Sequence, residues 1–340
     1  GKNHQPINTR WRNIMDNAKI LGSLLAAAIG DTMGAATEMR TRKQIEERFG
    51  GYVTEILAPP DDTFARGAVR GFVTDDFSLA YFTAQTICDN NGLVDDQVAI
   101  NSLLRWAACD AYFGKYAGPS TKAAVNKLLG VKTTPTYPFL AYDCSKATNG
   151  SAMKIGPVAL FSPGKLDEAI SNAVTICLPT HANNLSIAGA CAVAAAVSYA
   201  LMPDANLYGL VQAGLYGARK GNEIGSEKGI VLAGPSVEKR IQLAVELALR
   251  SDSLDAAINE IADYIGSGLM VYEAVPAAFG LAVAAKGNTM DAICAGVNVG
   301  YDTDTTATMI GAMMGALNGM NGLSENDLTL IDAVNHFDMR

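Results

Sequence analysis

The sequence predicts a compact all-α protein, and three observations carry that expectation. Apolar residues recur at helical spacing in segment after segment, most cleanly at Leu254, Ala257, Ile258, Ile261, Ala262 and Ile265, the i, i+3, i+4, i+7 pattern of a half-buried helix. Between the segments lie short Gly, Pro, Asn and Ser stretches of turn character. No internal repeat, low-complexity linker or composition break divides the 340 residues, of which 49% are hydrophobic and 18% charged. That composition supplies one sizeable core.

Residues 1–15 are polar and mixed and read as an N-terminal arm, with a single domain over 16–340. Ile20, Leu21, Leu24, Leu25, Ala28 and Ile29 mark an amphipathic helix ending near Gly30 or Gly34. Asp31 and Glu38 follow its apolar part, where capping and surface charge are the ordinary reading. Gly50-Gly51, Pro59-Pro60-Asp61-Asp62 and Gly67 to Gly71 make 50–73 a loop region with at most a short strand. Asp61-Asp62 there reads as a solvated turn. Thr74-Asp75-Asp76 opens a helix carried by Phe77, Ala80, Tyr81, Ala84, Ile87 and Cys88 to about Asn90. Val98, Leu103, Leu104 and Trp106 mark a helix reaching about Phe113, and Lys122 to Leu129 another. The loop-rich 130–150 ends in Asn149-Gly150, a turn whose free N–H groups ahead of a helix can cradle an anion.

Leu166 to Cys177 is helical by period. Thr180-His181 precedes an Ala-rich helix over 184–202, whose most apolar run, Ser186 to Met202, is below membrane-span length. Asn206 to Ala218 is expected to be helical and 219–235 a Gly-rich connection. Helices follow over Val237 to Leu249 and Leu254 to Ile265, the second capped by Ser251 or Ser253 and stopped by Gly266-Ser267-Gly268. Glu273 to Ala285 and Met290 to Val297 lead to the last long helix. There Gly311, Gly315 and Gly319 recur every fourth residue and leave one smooth face for close helix contact.

Chemistry concentrates at the mouth of that helix, in Gly300-Tyr301-Asp302-Thr303-Asp304-Thr305-Thr306. Asp and Thr cap helix starts well, and Gly300 suits a tight entry turn. The helix behind is apolar all round, and a buried carboxylate is costly unless something positive meets it. No Lys or Arg occurs between Lys286 and Arg340. Thr74-Asp75-Asp76 repeats the pattern of a hydroxyl and carboxylates before an apolar helix. Brought together, the two would make a cluster whose members raise each other's pKa unless a cation intervenes. One or two hard divalent metals match such oxygen donors. A plain N-cap with spare hydroxyls is the alternative at each site.

The net charge of −8 argues against binding a nucleic-acid backbone. Six cysteines show neither a CxxC pair nor zinc-type spacing, and most fall in apolar helical settings, which suits a reduced cytoplasmic protein. No signal segment is visible, and Gly1 leaves a trimmed leader open. Of three histidines, His181 alone lies inside a motif, and an oxygen-rich site does not want it as a ligand.

The chain resembles the ADP-ribosylglycohydrolases over about 16–319. The resemblance rests on GSLLAAAIGDTMGAATEM (22–39), VTDD (73–76), TNGSAMKIGPVALF (148–161), PTHANNLSIAGACA (179–192) and VNVGYDTDTTATMIGAMMGAL (297–317). It implies an orthogonal bundle of a dozen or more helices with an acidic cleft on one side. It implies that Thr74, Asp75, Asp76, Asp302, Asp304 and Thr305 ligate two magnesium or manganese ions. Glu38, Asp75 and Asp304 are then the catalytic carboxylates, with Asp31 in support. Asn149, Gly150, Ser151, Met153, His181, Gly268 and Tyr301 become substrate contacts. The reaction implied is hydrolysis at the anomeric carbon of an ADP-ribosyl group on a protein or small molecule, with no membrane and no sequence-specific nucleic acid as partner.

Two positions depart from the family pattern. Phe77 stands where TDD is followed by Ser or Thr, and Tyr301 makes GYDTDT of the usual GGDTDT. Both aromatics are expected to adjoin the metal ligands and narrow the pocket or stack on a base. The alternatives are a hydrolase of another nucleoside or ribosyl compound and a non-catalytic, crystallin-like member.

Overall fold

The computed structural model describes residues 9–340, with side chains from Asn17 onward. The arm expected over 1–15 is corrected over its second half, because α1 already begins at Thr9; residues 1–8 lie outside the described residues. Among the described residues the fold is all-α, with no strand. The helices are α1 (Thr9–Thr37), α2 (Arg42–Phe49), α3 (Asp75–Asp89), α4 (Asp96–Ala107), α5 (Phe113–Tyr116), α6 (Pro119–Leu128), α7 (Gly156–Ala159) and α8 (Leu166–Cys177). There follow α9 (Asn184–Ala200), α10 (Leu207–Lys228), α11 (Val237–Arg250), α12 (Leu254–Tyr264), α13 (Val271–Ala284), α14 (Thr289–Asn298), α15 (Thr303–Asn318) and α16 (Glu325–Asn335).

The pair that organises the site is α1 along α15. The expectation that α1 ends near Gly30 or Gly34 is overturned, because it continues through both to Thr37. These glycines permit backbone contact. A Cβ on Gly30 would lie 2.2 Å from the Ala307 carbonyl oxygen, and one on Gly34 2.4 Å from the Asp304 Cα. From the other side, a Cβ on Gly311 would lie 2.1 Å from the Ala26 oxygen and one on Gly315 2.1 Å from that of Gly22. The smooth face expected on α15 is therefore its contact with α1, although Gly319 serves as the C-cap, at φ 64°. The Gly-rich connection over 219–235 is corrected for the same reason. Helix α10 runs on to Lys228, and a Cβ on Gly221 would meet that of Cys191 on α9 at 2.6 Å.

The helix expected to reach Phe113 stops at Ala107, with α5 as a separate turn, and 50–73 holds no strand. Helix α2 was not expected, although Thr41-x-x-Gln44 forms a capping box and Gly50 a left-handed C-cap; α16 was likewise unforeseen. Almost all of α9 is buried, with α10 and α8 packed along it. The buried apolar residues form one continuous cluster from Leu25 to Met339. Asn17–Thr37 is long and apolar enough to cross a membrane by length and composition, but 83% of its apolar window is buried, as in a core helix. All six cysteines are free; Cys88, Cys177, Cys191 and Cys294 lie in helices, and the last three of these are buried.

Candidate metal centre

Three chain segments converge on one acidic cluster: the C-terminal part of α1 and the first turns of α3 and α15. Thr74 is the N-cap of α3. From α1, the Asp31 carboxylate accepts from the Thr74 N–H (2.9 Å), the Thr74 hydroxyl (2.7 Å) and the Phe77 N–H (3.0 Å). It thereby fixes the opening of α3 against α1. Asp302 is the N-cap residue of α15, yet its side chain makes no capping bond. It accepts instead from Asn149 Nδ2 at 2.6 Å. The plain-cap alternative therefore fails for Asp302.

The cluster holds Asp31, Glu38, Asp76, Asp302 and Asp304, all buried, with Asp75 half-buried beside them. One carboxylate oxygen from each of Asp31, Asp76 and Asp304 lies within 4.8 Å of the others, and the same holds for Glu38, Asp302 and Asp304. Asp304 belongs to both groups. Thr74 and Thr305 are buried among them. Asp75 falls in neither group, and Asp31, which sequence reasoning placed in support, falls in the first. Its signal was legible, since an aspartate inside an apolar helix needs a buried partner.

Among the described ion pairs, none engages these carboxylates. Burial, followed by repulsion from Asp302 and Asp75, pushes Glu38 up to about 8. Burial and Asp31 push Asp75 to about 8. Asp31 rises to about 6 by burial, restrained by its bonds to Thr74 and Phe77. Burial takes Asp76 and Asp304 well above the ordinary range and raises Asp302 as well. Asp76 Oδ1 and Asp304 Oδ1 are buried with no hydrogen-bond partner. Orphaned carboxylate oxygens in an all-oxygen donor set fit a hard divalent cation and not a soft one.

The rim is built by a reciprocal pair of backbone bonds. Met39 N–H donates to the Tyr301 carbonyl (2.7 Å), and Tyr301 N–H to that of Arg40 (2.9 Å). Both Met39 (φ 62°) and Tyr301 (φ 61°) occupy the left-handed region, a strained conformation that recurs at functional sites. The pair clamps the chain beside Glu38 to the chain beside Asp302. Tyr301 is 49% exposed, and a Cβ on the buried Gly268 would touch its ring at 3.4 Å. A recess of about 540 Å³ opens outside Glu38, walled by Met39, Arg40, Arg48 and Asp62 among others. Asp62, in the turn expected to be solvated, pairs with Arg40 at 2.5 Å and Arg48 at 3.9 Å.

The other expected contacts are mostly buried. Asn149 faces Asp302, while the Ser151 hydroxyl turns away to the Ser186 carbonyl at 2.9 Å. Met153 is buried. His181 is buried, with Nε2 at 2.9 Å from Thr148 Oγ1 and Nδ1 at 2.8 Å from Thr180 Oγ1. Phe77 is corrected: its ring is fully buried among Tyr81 and Phe337, at 6.4 and 6.0 Å between centroids. Its side chain shapes the core; only its N–H reaches the cluster. Ser78, next along, accepts from Trp106 Nε1 at 2.9 Å.

The ADP-ribosylglycohydrolase family model matches residues 13–337. The chain is 29% identical to an uncharacterised protein, YegU, of Escherichia coli, over 95% of each chain. It is 27% identical to an ADP-ribosylarginine hydrolase of Pseudomonas putida, covering 91% of this chain and 72% of that one. A solved structure described as an ADP-ribosylglycohydrolase-related protein complex shares the fold, with TM-score 0.64 and 19% identity over 94% of this chain and 96% of that one.

Proposed function

The chain belongs to the ADP-ribosylglycohydrolase family, and from that premise we propose that it hydrolyses the bond between the anomeric carbon of an ADP-ribosyl group and its acceptor. The observation that carries this is the pair of partnerless buried oxygens, Asp76 Oδ1 and Asp304 Oδ1, inside two carboxylate groups that share Asp304. Thr74, Asp75, Asp76, Asp302, Asp304 and Thr305, with Asp31 and Glu38 beside them, would hold two divalent cations, magnesium or manganese. When bound, the cations supply positive charge and Lewis acidity towards ribose hydroxyls and water.

Glu38 is the cluster carboxylate that also borders the outer recess. It takes a proton from the attacking water and returns it to the departing acceptor, so the C1–acceptor bond breaks as the C1–oxygen bond forms. Asn149 holds Asp302 in place through its amide. The products are ADP-ribose and the free acceptor, from a modified protein or a small ADP-riboside. The Pseudomonas relative is described as an ADP-ribosylarginine hydrolase, which makes an arginine linkage the first to test. A different ribosyl substrate is the second reading, favoured by Tyr301 standing exposed on the rim.

The test is turnover of ADP-ribosyl-arginine, ADP-ribosyl-serine and simple nucleosides by chelator-stripped protein, with and without magnesium or manganese. Metal-dependent cleavage of an ADP-ribosyl compound is expected. Full activity after stripping, or no cleavage of any ADP-ribosyl compound with metal present, would overturn the reading.

A further inference from the structure

Residues 50–73 form no helix or strand. The chain that delivers Thr74, Asp75 and Asp76 therefore has no ladder of its own, and its buried backbone groups need other partners. Helix α16 supplies them through its last residue. Asn335 is buried, and its amide fills all four of its hydrogen-bonding positions. Oδ1 accepts from the Val73 N–H at 3.1 Å and from the Tyr112 hydroxyl at 3.0 Å. Nδ2 donates to the carbonyls of Gly71 and Ile331, each at 2.9 Å. A backbone N–H can only donate and a carbonyl can only accept, so this orientation of the amide is forced. Burial pushes the Tyr112 phenol above its ordinary range, which keeps it a donor.

Beyond Asn335 the chain turns back onto α3. His336, at φ 57°, is the left-handed C-cap of α16. Phe337 then stacks on Tyr81, with 4.0 Å between centroids, and packs against Phe77 at 6.0 Å. Asp338 N–H donates to the Tyr81 hydroxyl at 2.9 Å. On the approach to α3, a Cβ on Gly71 would meet Leu330 Cγ of α16 at 2.9 Å. Gly71 and Val73 are thus held by α16, while Thr74 and Phe77 are held by Asp31 of α1. The three residues Thr74, Asp75 and Asp76 are delivered between those two anchors.

We propose that Asn335 is a positioning residue for the metal centre: it fixes the backbone at Gly71 and Val73 and so sets where Thr74, Asp75 and Asp76 stand relative to Asp304. That these residues take a metal rests on the function proposed above; the hold on the backbone does not.

The experiment compares the full chain with its Asn335→Leu and Tyr112→Phe variants, and with Ile258→Val, a buried position in α12, as a stability control. Magnesium and manganese affinities of chelator-stripped protein are measured by calorimetry, and backbone amide exchange is followed without metal. Groups that orient metal ligands are worth about 10–100-fold in affinity. Asn335 acts through the backbone, so Asn335→Leu should weaken metal binding about tenfold, at the lower end of that range. It should also speed exchange at 71–77 more than in α9 or α12. Tyr112→Phe removes one of the four bonds and keeps the ring, so about threefold weaker binding is expected; it decides the matter if Asn335→Leu fails to fold. Ile258→Val should lower the melting temperature and leave metal affinity unchanged. Unchanged affinity in the Asn335 and Tyr112 variants overturns the proposal, as does exchange at 71–77 no faster than elsewhere. So does a loss of affinity in Ile258→Val as large as in Asn335→Leu. A wild type that binds neither metal would overturn the metal reading, and exchange at 71–77 would still decide whether Asn335 holds the segment.

Discussion

Asp304 is the residue on which the two carboxylate groups depend. Asp304→Asn keeps the shape and removes one of several crowded carboxyl groups. Turnover should fall by more than about a hundredfold, while the melting temperature of metal-free protein rises at neutral pH because a buried carboxylate with a raised pKa is gone. Metal should also stabilise the variant less than wild type, for which a hundredfold excess over Kd is worth about 2.7 kcal/mol. Thermal melts with and without metal, beside turnover, check this; wild-type turnover would remove Asp304 from the site. Tyr301 calls for a different measurement. Stacking on an aromatic ring is worth about 1–3 kcal/mol per base, or roughly one to two orders of magnitude in preference. Tyr301→Gly should shift the kcat/KM ratio among the ribosyl substrates on that scale. Stability should hold within about 1 kcal/mol, since relief of the left-handed strain offsets glycine's greater freedom in the unfolded chain. Unchanged ratios would mean that the ring does not touch substrate.

At the scale of elements, the contact of α1 with α15 sets the distance between Asp31 on one helix and Asp304 on the other. Gly30→Ala tests it. Alanine gains about 1 kcal/mol of helix propensity over glycine, but here its Cβ meets a backbone oxygen that cannot rotate away. Overpacking costs about 1–3 kcal/mol and sometimes more, so the net effect should be destabilising, with weakened metal-induced stabilisation. In α5, a Cβ on Gly114 would meet nothing within 4 Å, so Gly114→Ala should be neutral or stabilising. Denaturant titration of both variants checks the contrast, and equal effects would mean that the helices can part without cost. The same packing explains why glycine misled the sequence reading in α1 and α10. In each it was taken for a stop, and in each it lets another backbone close in.

For the whole molecule, the carboxylate cluster ties stability to pH and metal. In the metal-free protein Asp31 is raised to about 6 and Glu38 and Asp75 to about 8. Native pKa values above the unfolded ones mean that the folded state holds more protons. Their stabilising contribution is complete below the unfolded values near 4 and is lost as pH rises through about 6 to 8. Stripped protein should therefore melt progressively lower from pH about 5 to about 8, and saturating magnesium or manganese should flatten that slope. A stripped protein with a flat profile would remove the buried charge from the account. Sequence alone determined the helical class, the order of most helices and the two acidic helix mouths, because apolar period and charge without a local counter-ion are written along the chain. It could not place Asp31 beside Asp76 and Asp304, Asn149 on Asp302, or Phe77 inside an aromatic core. Those depend on which helix faces meet, and that is decided by backbone contacts between residues nearly three hundred positions apart, such as Gly30 with Ala307.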